Sequence, residues 1–139
     1  MAPSGEWADV TRAVHFSAGH RLSSPHLSEA ENQRVYGQCY RWHGHNYLVE
    51  VTVSGLIDPE TGMATDLEAL GETLQAGLLD LVDHQDLDEV LPKTITTGEG
   101  LALVFWRLLS TRLPPGSLRR VAVEETPKNR FEYAGEMAP

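Results

Sequence analysis

The chain has 139 residues, a length that suits one domain over 1–139 with a core large enough to bury most of its apolar surface. Its formal net charge of −9 and the lack of any Lys/Arg run argue against nucleic acid or an anionic membrane as partner. No stretch approaches the roughly 18 apolar residues that cross a bilayer, and "MAPSGEWADV" lacks the basic start and apolar run of a signal peptide, so a cytoplasmic protein is expected.

In chain order, "DVTRAVHFSAGHRL" alternates as a strand. Val10, Val14, Phe16 and Ala18 lie on one side, and His20 shares it. His15 is out of phase and His26 falls in the polar "LSSPHLSEAEN", so both are expected at the surface. "HGHNYLVEVTVSG" alternates more clearly and puts His43, His45, Tyr47, Val49, Val51 and Val53 on one face. "LIDPETGM" is a turn. The period then changes to helical: Leu67, Leu70, Leu74, Leu78 and Leu81 form one stripe, capped by Thr65 with Glu68 and ending near Val82. A second helix is expected from Thr96 with Glu99 as its capping box, with Leu101, Val104, Phe105 and Leu108 facing inward and "PPG" at Pro114 to Gly116 stopping it. "LRRVAVEET" and "RFEYAG" close the chain as strands around "PKN", with Arg119, Val121, Val123 and Glu125 on one face. The order β-β-α-α-β-β predicts a two-layer α+β domain, an antiparallel four-stranded sheet with two helices on one face.

Residues i and i+2 on a strand point the same way about 7 Å apart, so His43 and His45 can reach one metal ion. Two ligands do not close a site, and a bare HxH is equally consistent with hydrogen-bonded core histidines. His20 supplies a third ligand if the two strands are neighbours. Three histidines with an open fourth position describe a catalytic zinc rather than a structural one. Cys39, the chain's one cysteine, cannot form an internal disulfide. It is either a buried inert residue or, with a cation nearby, a thiolate. Asp83-His84 after the first helix can relay protons, or can simply complement the helix dipole. A carboxylate at Glu125 beside Val121 and Val123 is expensive to bury unless it meets donors, unless the strand frays before it.

Taken in order, "FSAGHRL", "YGQC", "HGHNY", "DPETGM", "VDHQDLD", "TTGEG" and "VEET" resemble the 6-pyruvoyltetrahydropterin synthase family, which includes the bacterial 6-carboxytetrahydropterin synthases. The resemblance runs from about Val14 to Gly135. It implies the tunnelling fold, in which subunits join their sheets into barrels, and a homohexamer built as a dimer of trimers. It also implies zinc on His20, His43 and His45, Cys39 as the proton-transferring base, and Asp83 with His84 as its relay. By the same resemblance Glu125 anchors the pterin's amino-pyrimidine edge, and Thr97, with Glu99 beside it, lies in the segment lining the pterin pocket. The implied substrate is 7,8-dihydroneopterin triphosphate, which loses triphosphate to give either 6-pyruvoyltetrahydropterin or, with side-chain cleavage, 6-carboxytetrahydropterin and acetaldehyde. The Cys39-x-x-x-His43 spacing resembles the carboxy branch, while "HRLSSPHLSEAENQRVYGQC" looks more like the pyruvoyl one. Because the short loop sets Cys39 against the metal, the carboxy product is expected. Gly98 in "TTGEG" departs from the threonine common there. A silent pterin- or purine-binding relative and a three-histidine zinc hydrolase are the competing possibilities; neither needs both Cys39 and the relay.

Overall fold

In the computed structural model, which describes residues 5–136, two fourteen-residue strands form the backbone of the molecule. β1 (Trp7–His20) and β2 (His43–Leu56) pair antiparallel along their whole length, with Trp7 opposite Leu56 and His20 opposite His43. β4 (Leu118–Thr126) adds to β2, and β5 (Asn129–Tyr133) adds to β4 across the turn that "PKN" promised. The expected four strands become five, because Gln85–Asp86 forms a short β3 parallel to β1 and gives the order β3-β1-β2-β4-β5. Two residues carry no readable alternation, which is why this strand left no trace in the sequence pattern.

The residues opposed across β1, β2 and β4 share one sheet face, and it is the apolar one. Phe16, Tyr47, Val49, Val51, Val121 and Val123 are buried there. Phe16 stacks on Tyr47 at 4.7 Å between centroids and meets Phe105 edge-on. Each such side chain, once buried, contributes about 1.5–3 kcal/mol. The helical cover comes from α2 (Leu67–Leu74), a π-helical turn at Gln75–Leu79, α3 (Asp80–Val82), the short α4 (Leu87–Val90) and α5 (Gly98–Ser110). Leu70, Leu74, Leu78 and Val82 are buried, while Leu67 is exposed and Leu81 half-buried. The wider π turn advances the phase, so Val82 replaces Leu81 at the inner end of the stripe. On α5 the stripe is likewise turned slightly, with Leu101, Ala102, Phe105 and Leu109 buried.

Three local expectations are corrected. The N-cap of α2 is Asp66, which accepts from Ala69 N–H, rather than Thr65. The N-cap of α5 is Thr97, which accepts from Gly100 N–H, rather than Thr96. Arg119 is exposed and donates to the Gly116 carbonyl, because a register shift at Thr52/Val53 pairs Val53 with Leu118 and leaves Arg119 bulged outward. An additional helix, α1 (Glu29–Tyr36), occupies the polar stretch after β1 under a capping box of Ser28 and Glu31. Asn32, its buried residue, accepts from Ser24 N–H and donates to the Ser24 and Leu27 carbonyls, fixing the loop onto the helix. A 3₁₀ turn, Gly37–Tyr40, then leads into β2. No helix among the described residues is long and apolar enough to cross a membrane.

Candidate active site

Antiparallel register decides where the histidines meet. His20 ends β1 opposite His43, which begins β2, and Ala18 lies opposite His45, so all three imidazoles point from the apolar face at one end of the hairpin. Their ligand-capable atoms lie within 4.8 Å of one another. The unbroken period-2 pattern around Val49, Val51 and Val53 is what holds His43 and His45 in phase.

The rings are oriented by their other nitrogens. His20, fully buried, donates from Nδ1 to the Thr96 carbonyl at 3.0 Å, with Thr96 Oγ1 at 3.3 Å. His43 donates from Nδ1 to the Arg41 carbonyl at 2.6 Å. A carbonyl can only accept, so in both rings Nε2 carries the free lone pair. Burial first, then the neighbouring His43 and His45, lowers the pKa of His20 from 6.5 to about 4, which keeps it neutral. His45 is also held low by burial, against the pull of Glu125. Its Nε2 lies 3.4 Å from Glu125 Oε1, yet this buried nitrogen has no hydrogen-bond partner. The contact lacks hydrogen-bond geometry, and the nitrogen stays open to a ligand. Three converging imidazoles, two with their tautomers fixed by carbonyls and one with an unsatisfied nitrogen, fit a metal ion with borderline preference for nitrogen donors.

Behind His20 stand groups that periodicity did not single out. Thr96 is buried and donates from Oγ1 to Asp88 Oδ1 at 2.9 Å, and Asp88 Oδ2 accepts from Arg21 N–H at 2.8 Å. Tyr47 places its hydroxyl 3.3 Å from His20 Nε2. Burial pushes the Tyr47 phenol well above its usual range, so it stays protonated and can donate to that nitrogen.

Glu125 continues the inward phase of Val121 and Val123 without fraying from the strand, and its side chain is 18% exposed beside His45. Asp83 and His84 follow α3 at the free side of β1. Asp83 Oδ1 accepts from Ser17 N–H at 3.0 Å and from His84 Nδ1 at 2.9 Å. The Ser17 amide, and then His84, hold the Asp83 carboxyl below its usual range. His84 N–H donates to the Ser17 carbonyl at 2.6 Å, and its backbone takes φ 61°, a conformation few residues other than glycine adopt. Its imidazole is 80% exposed and shares an open hollow with Ser17, Gly19, His43, Gly44 and His45. Cys39 sits half-buried in the 3₁₀ turn, whose position beside the end of β1 is set by Leu22 N–H donating to the Cys39 carbonyl at 2.7 Å.

Thr97 and Glu99 are placed less centrally. The Thr97 hydroxyl is engaged as the α5 cap, and Glu99 is exposed in the first helical turn. Gly98 between them is buried, and a Cβ there would lie 2.0 Å from the Phe131 ring. The absence of a threonine at this position is thus a packing requirement of Phe131.

Fold and site together define an α+β domain with a three-histidine centre that can hold a metal ion at the mouth of a β-hairpin. Residues 9–136 match the family described as 6-pyruvoyl tetrahydropterin synthase, and the chain belongs to that family. It is 43% identical over 134 residues to 6-pyruvoyl tetrahydrobiopterin synthase of Drosophila melanogaster, covering 92% of this chain and 80% of that one. The structure of Caenorhabditis elegans 6-pyruvoyl tetrahydropterin synthase superposes with a TM-score of 0.89 at 39% identity, covering 95% of this chain and 98% of that one. A 6-carboxy-5,6,7,8-tetrahydropterin synthase of Aquifex aeolicus is 26% identical over 160 residues, covering 92% and 98%.

Proposed function

We propose that this chain is a zinc-dependent lyase that acts on 7,8-dihydroneopterin triphosphate with loss of triphosphate. The observation that carries this is the convergence of His20, His43 and His45 with the Glu125 carboxylate at their rim. His20, His43 and His45 would hold the ion; when bound, it supplies a Lewis acid for side-chain oxygens of the substrate. Glu125 accepts from the amino-pyrimidine edge of the pterin and fixes the side chain over the histidines. Cys39 takes the carbon-bound proton. Asp83 holds His84 Nδ1, which leaves the exposed Nε2 to exchange a proton with the substrate's other side. Thr97 and Glu99 serve as outer contacts at the N-terminal end of α5.

The short loop between Cys39 and His43 favours the carboxy product, whereas the relatives at 43% identity bear the pyruvoyl name and the carboxy relative stands at 26%. The likeness runs over nearly the whole chain and the loop is only one element of it, so we take 6-pyruvoyltetrahydropterin as the product, in place of the carboxy product expected from the loop. 6-Carboxytetrahydropterin with acetaldehyde is the second reading, supported by the loop. The active form is a cytoplasmic homohexamer, a dimer of trimers, in which the exposed His84 is covered.

The test is to incubate zinc-loaded protein with dihydroneopterin triphosphate and identify products by mass. Released triphosphate with a pyruvoyl pterin is the expected result. Acetaldehyde with a carboxy pterin would move the chain to the other branch, and no triphosphate release with any divalent metal would overturn the lyase assignment.

A further inference from the structure

Beside the histidines lies a second cavity of about 390 Å³, lined by Arg21, Ser23, His26, Asp88, Lys93 and Thr94. It is cationic in a chain of net charge −9. Among the described residues the arginines in carboxylate ion pairs are Arg34, Arg120 and Arg130, and neither Arg21 nor Lys93 takes part in one. Asp88 sets one carboxylate against these two cations, and its oxygens are turned to Thr96 Oγ1 and the Arg21 backbone N–H. The Arg21 guanidinium stacks on the Tyr40 ring at 4.1 Å from the centroid and lies 5.9 Å from that of Trp42. Stacking fixes the plane of the fork while leaving its N–H edge free, the arrangement suited to bidentate recognition of an oxyanion. Trp42, largely exposed, forms one wall.

The cavity is joined to the metal centre by chain and by hydrogen bonds. Arg21 follows His20, Trp42 precedes His43, and Asp88 reaches the His20 ring through Thr96. The cavity and the metal centre are thus built on the same two strand ends, and a tail leaving a ligand at the histidines would pass the Arg21 and Trp42 side chains to enter the cavity.

We propose that this cavity receives the polyphosphate tail of the substrate, with Arg21 as its bidentate anchor and Lys93 as a second, point-charge contact. This rests on the triphosphate-ester substrate proposed above, so the test separates the two. Calorimetry on metal-loaded protein uses inorganic tripolyphosphate as the probe and phosphate-free neopterin as the comparison. Arg21→Gln and Lys93→Gln each weaken tripolyphosphate binding by about tenfold or more, the worth of a charge-assisted hydrogen bond. Neopterin affinity stays as in the wild type. Arg21→Lys recovers only part of the loss, because an ammonium supplies charge without the planar fork. Arg107→Gln, in the neighbouring hollow lined by Thr97 and Leu103, changes nothing. Metal content and melting temperature verify that the variants are folded, and Lys93, exposed in a loop, carries the test if Arg21→Gln is not. Unchanged tripolyphosphate binding in the folded variants overturns the proposal, as does an equal loss of neopterin affinity. If the wild type binds tripolyphosphate through Arg21 but turns over no pterin triphosphate, the reaction assignment fails and the cavity stands. If turnover proceeds with the same KM in Arg21→Gln and Lys93→Gln, the cavity fails and the reaction stands.

Discussion

Histidine appears in opposite settings at two places along β1, at its end and beside Ser17. His20 ends a long strand, is fully buried, and has Nδ1 tied to the Thr96 carbonyl, which turns Nε2 toward the other two histidines. His84 sits between α3 and a two-residue strand, in a left-handed backbone conformation, with its ring 80% exposed and one nitrogen bound to Asp83. Regular strand pairing fixes a ligand nitrogen against two others and keeps it neutral by burial. The irregular connection instead presents an oriented proton carrier to whatever arrives. The same side chain thus becomes a stationary ligand or an exchangeable acid-base group according to the element that carries it.

Breaking the stationary half has the largest effect. His43→Ala removes one of three ligands, and bound metal measured by atomic absorption after desalting falls to near none, with turnover lost. Full retention of metal would refute the ligand assignment. Next comes Cys39→Ala, which keeps the metal but lowers kcat by roughly 10²–10⁴-fold, the usual contribution of a positioned acid-base group. Single-turnover kinetics at wild-type rate would remove Cys39 from the chemistry. Thr96→Val then probes the shell behind His20: the Thr96 carbonyl still accepts from Nδ1, but the bridge to Asp88 is gone. A competition titration with a chelating dye should record metal affinity lower by about tenfold, the lower end of the cost of losing an outer partner.

The asymmetry between the two settings also explains what was legible in the sequence. Period-2 alternation placed His43 and His45 on the valine face, but His20 joined them only on the condition that the two strands are neighbours, which the antiparallel pairing supplies. Glu125 was legible from alternation too. Thr96 and Tyr47 were not marked as site residues, because their roles arise from contacts with His20 across 76 and 27 positions, and Asp88 acts only through Thr96 and the Arg21 N–H, which no local pattern records. Helix α1 has a readable capping box at Ser28 and Glu31 but no apolar stripe, so only half of its signal was present. The outward turn of Arg119 follows from a register shift made with β2, not from its own strand.

Burial of His20 carries a pH signature in the metal-free protein. Its pKa is depressed in the folded chain, from 6.5 to about 4, so the unfolded state binds the proton more readily. The associated stability is fully present above about pH 6.5 and is lost as pH falls toward 4. Thermal melts should show the melting temperature dropping across that window, and His20→Asn should flatten the slope. An equally steep slope in His20→Asn would assign the acid sensitivity elsewhere.

The smallest effect separates a structural from a functional threonine. Thr96 and Thr97 offer equivalent hydroxyls at the start of α5, and the fold gives them different duties: Thr96 turns inward to His20 and Asp88, leaving Thr97 to cap Gly100 N–H. Thr97→Ala should therefore cost ~1 kcal/mol in urea unfolding, the ordinary worth of an N-cap. If the same hydroxyl also touches the pterin, KM for the substrate rises in Thr97→Ala and is restored in Thr97→Ser, which keeps both the cap and the hydroxyl. Thr97→Asp keeps the cap but brings a charge to the pocket rim, so a stable Thr97→Asp protein with raised KM assigns Thr97 to the substrate. Unchanged KM in Thr97→Ala with the full loss of stability would leave it as a cap alone and place the pocket's specificity on Glu125.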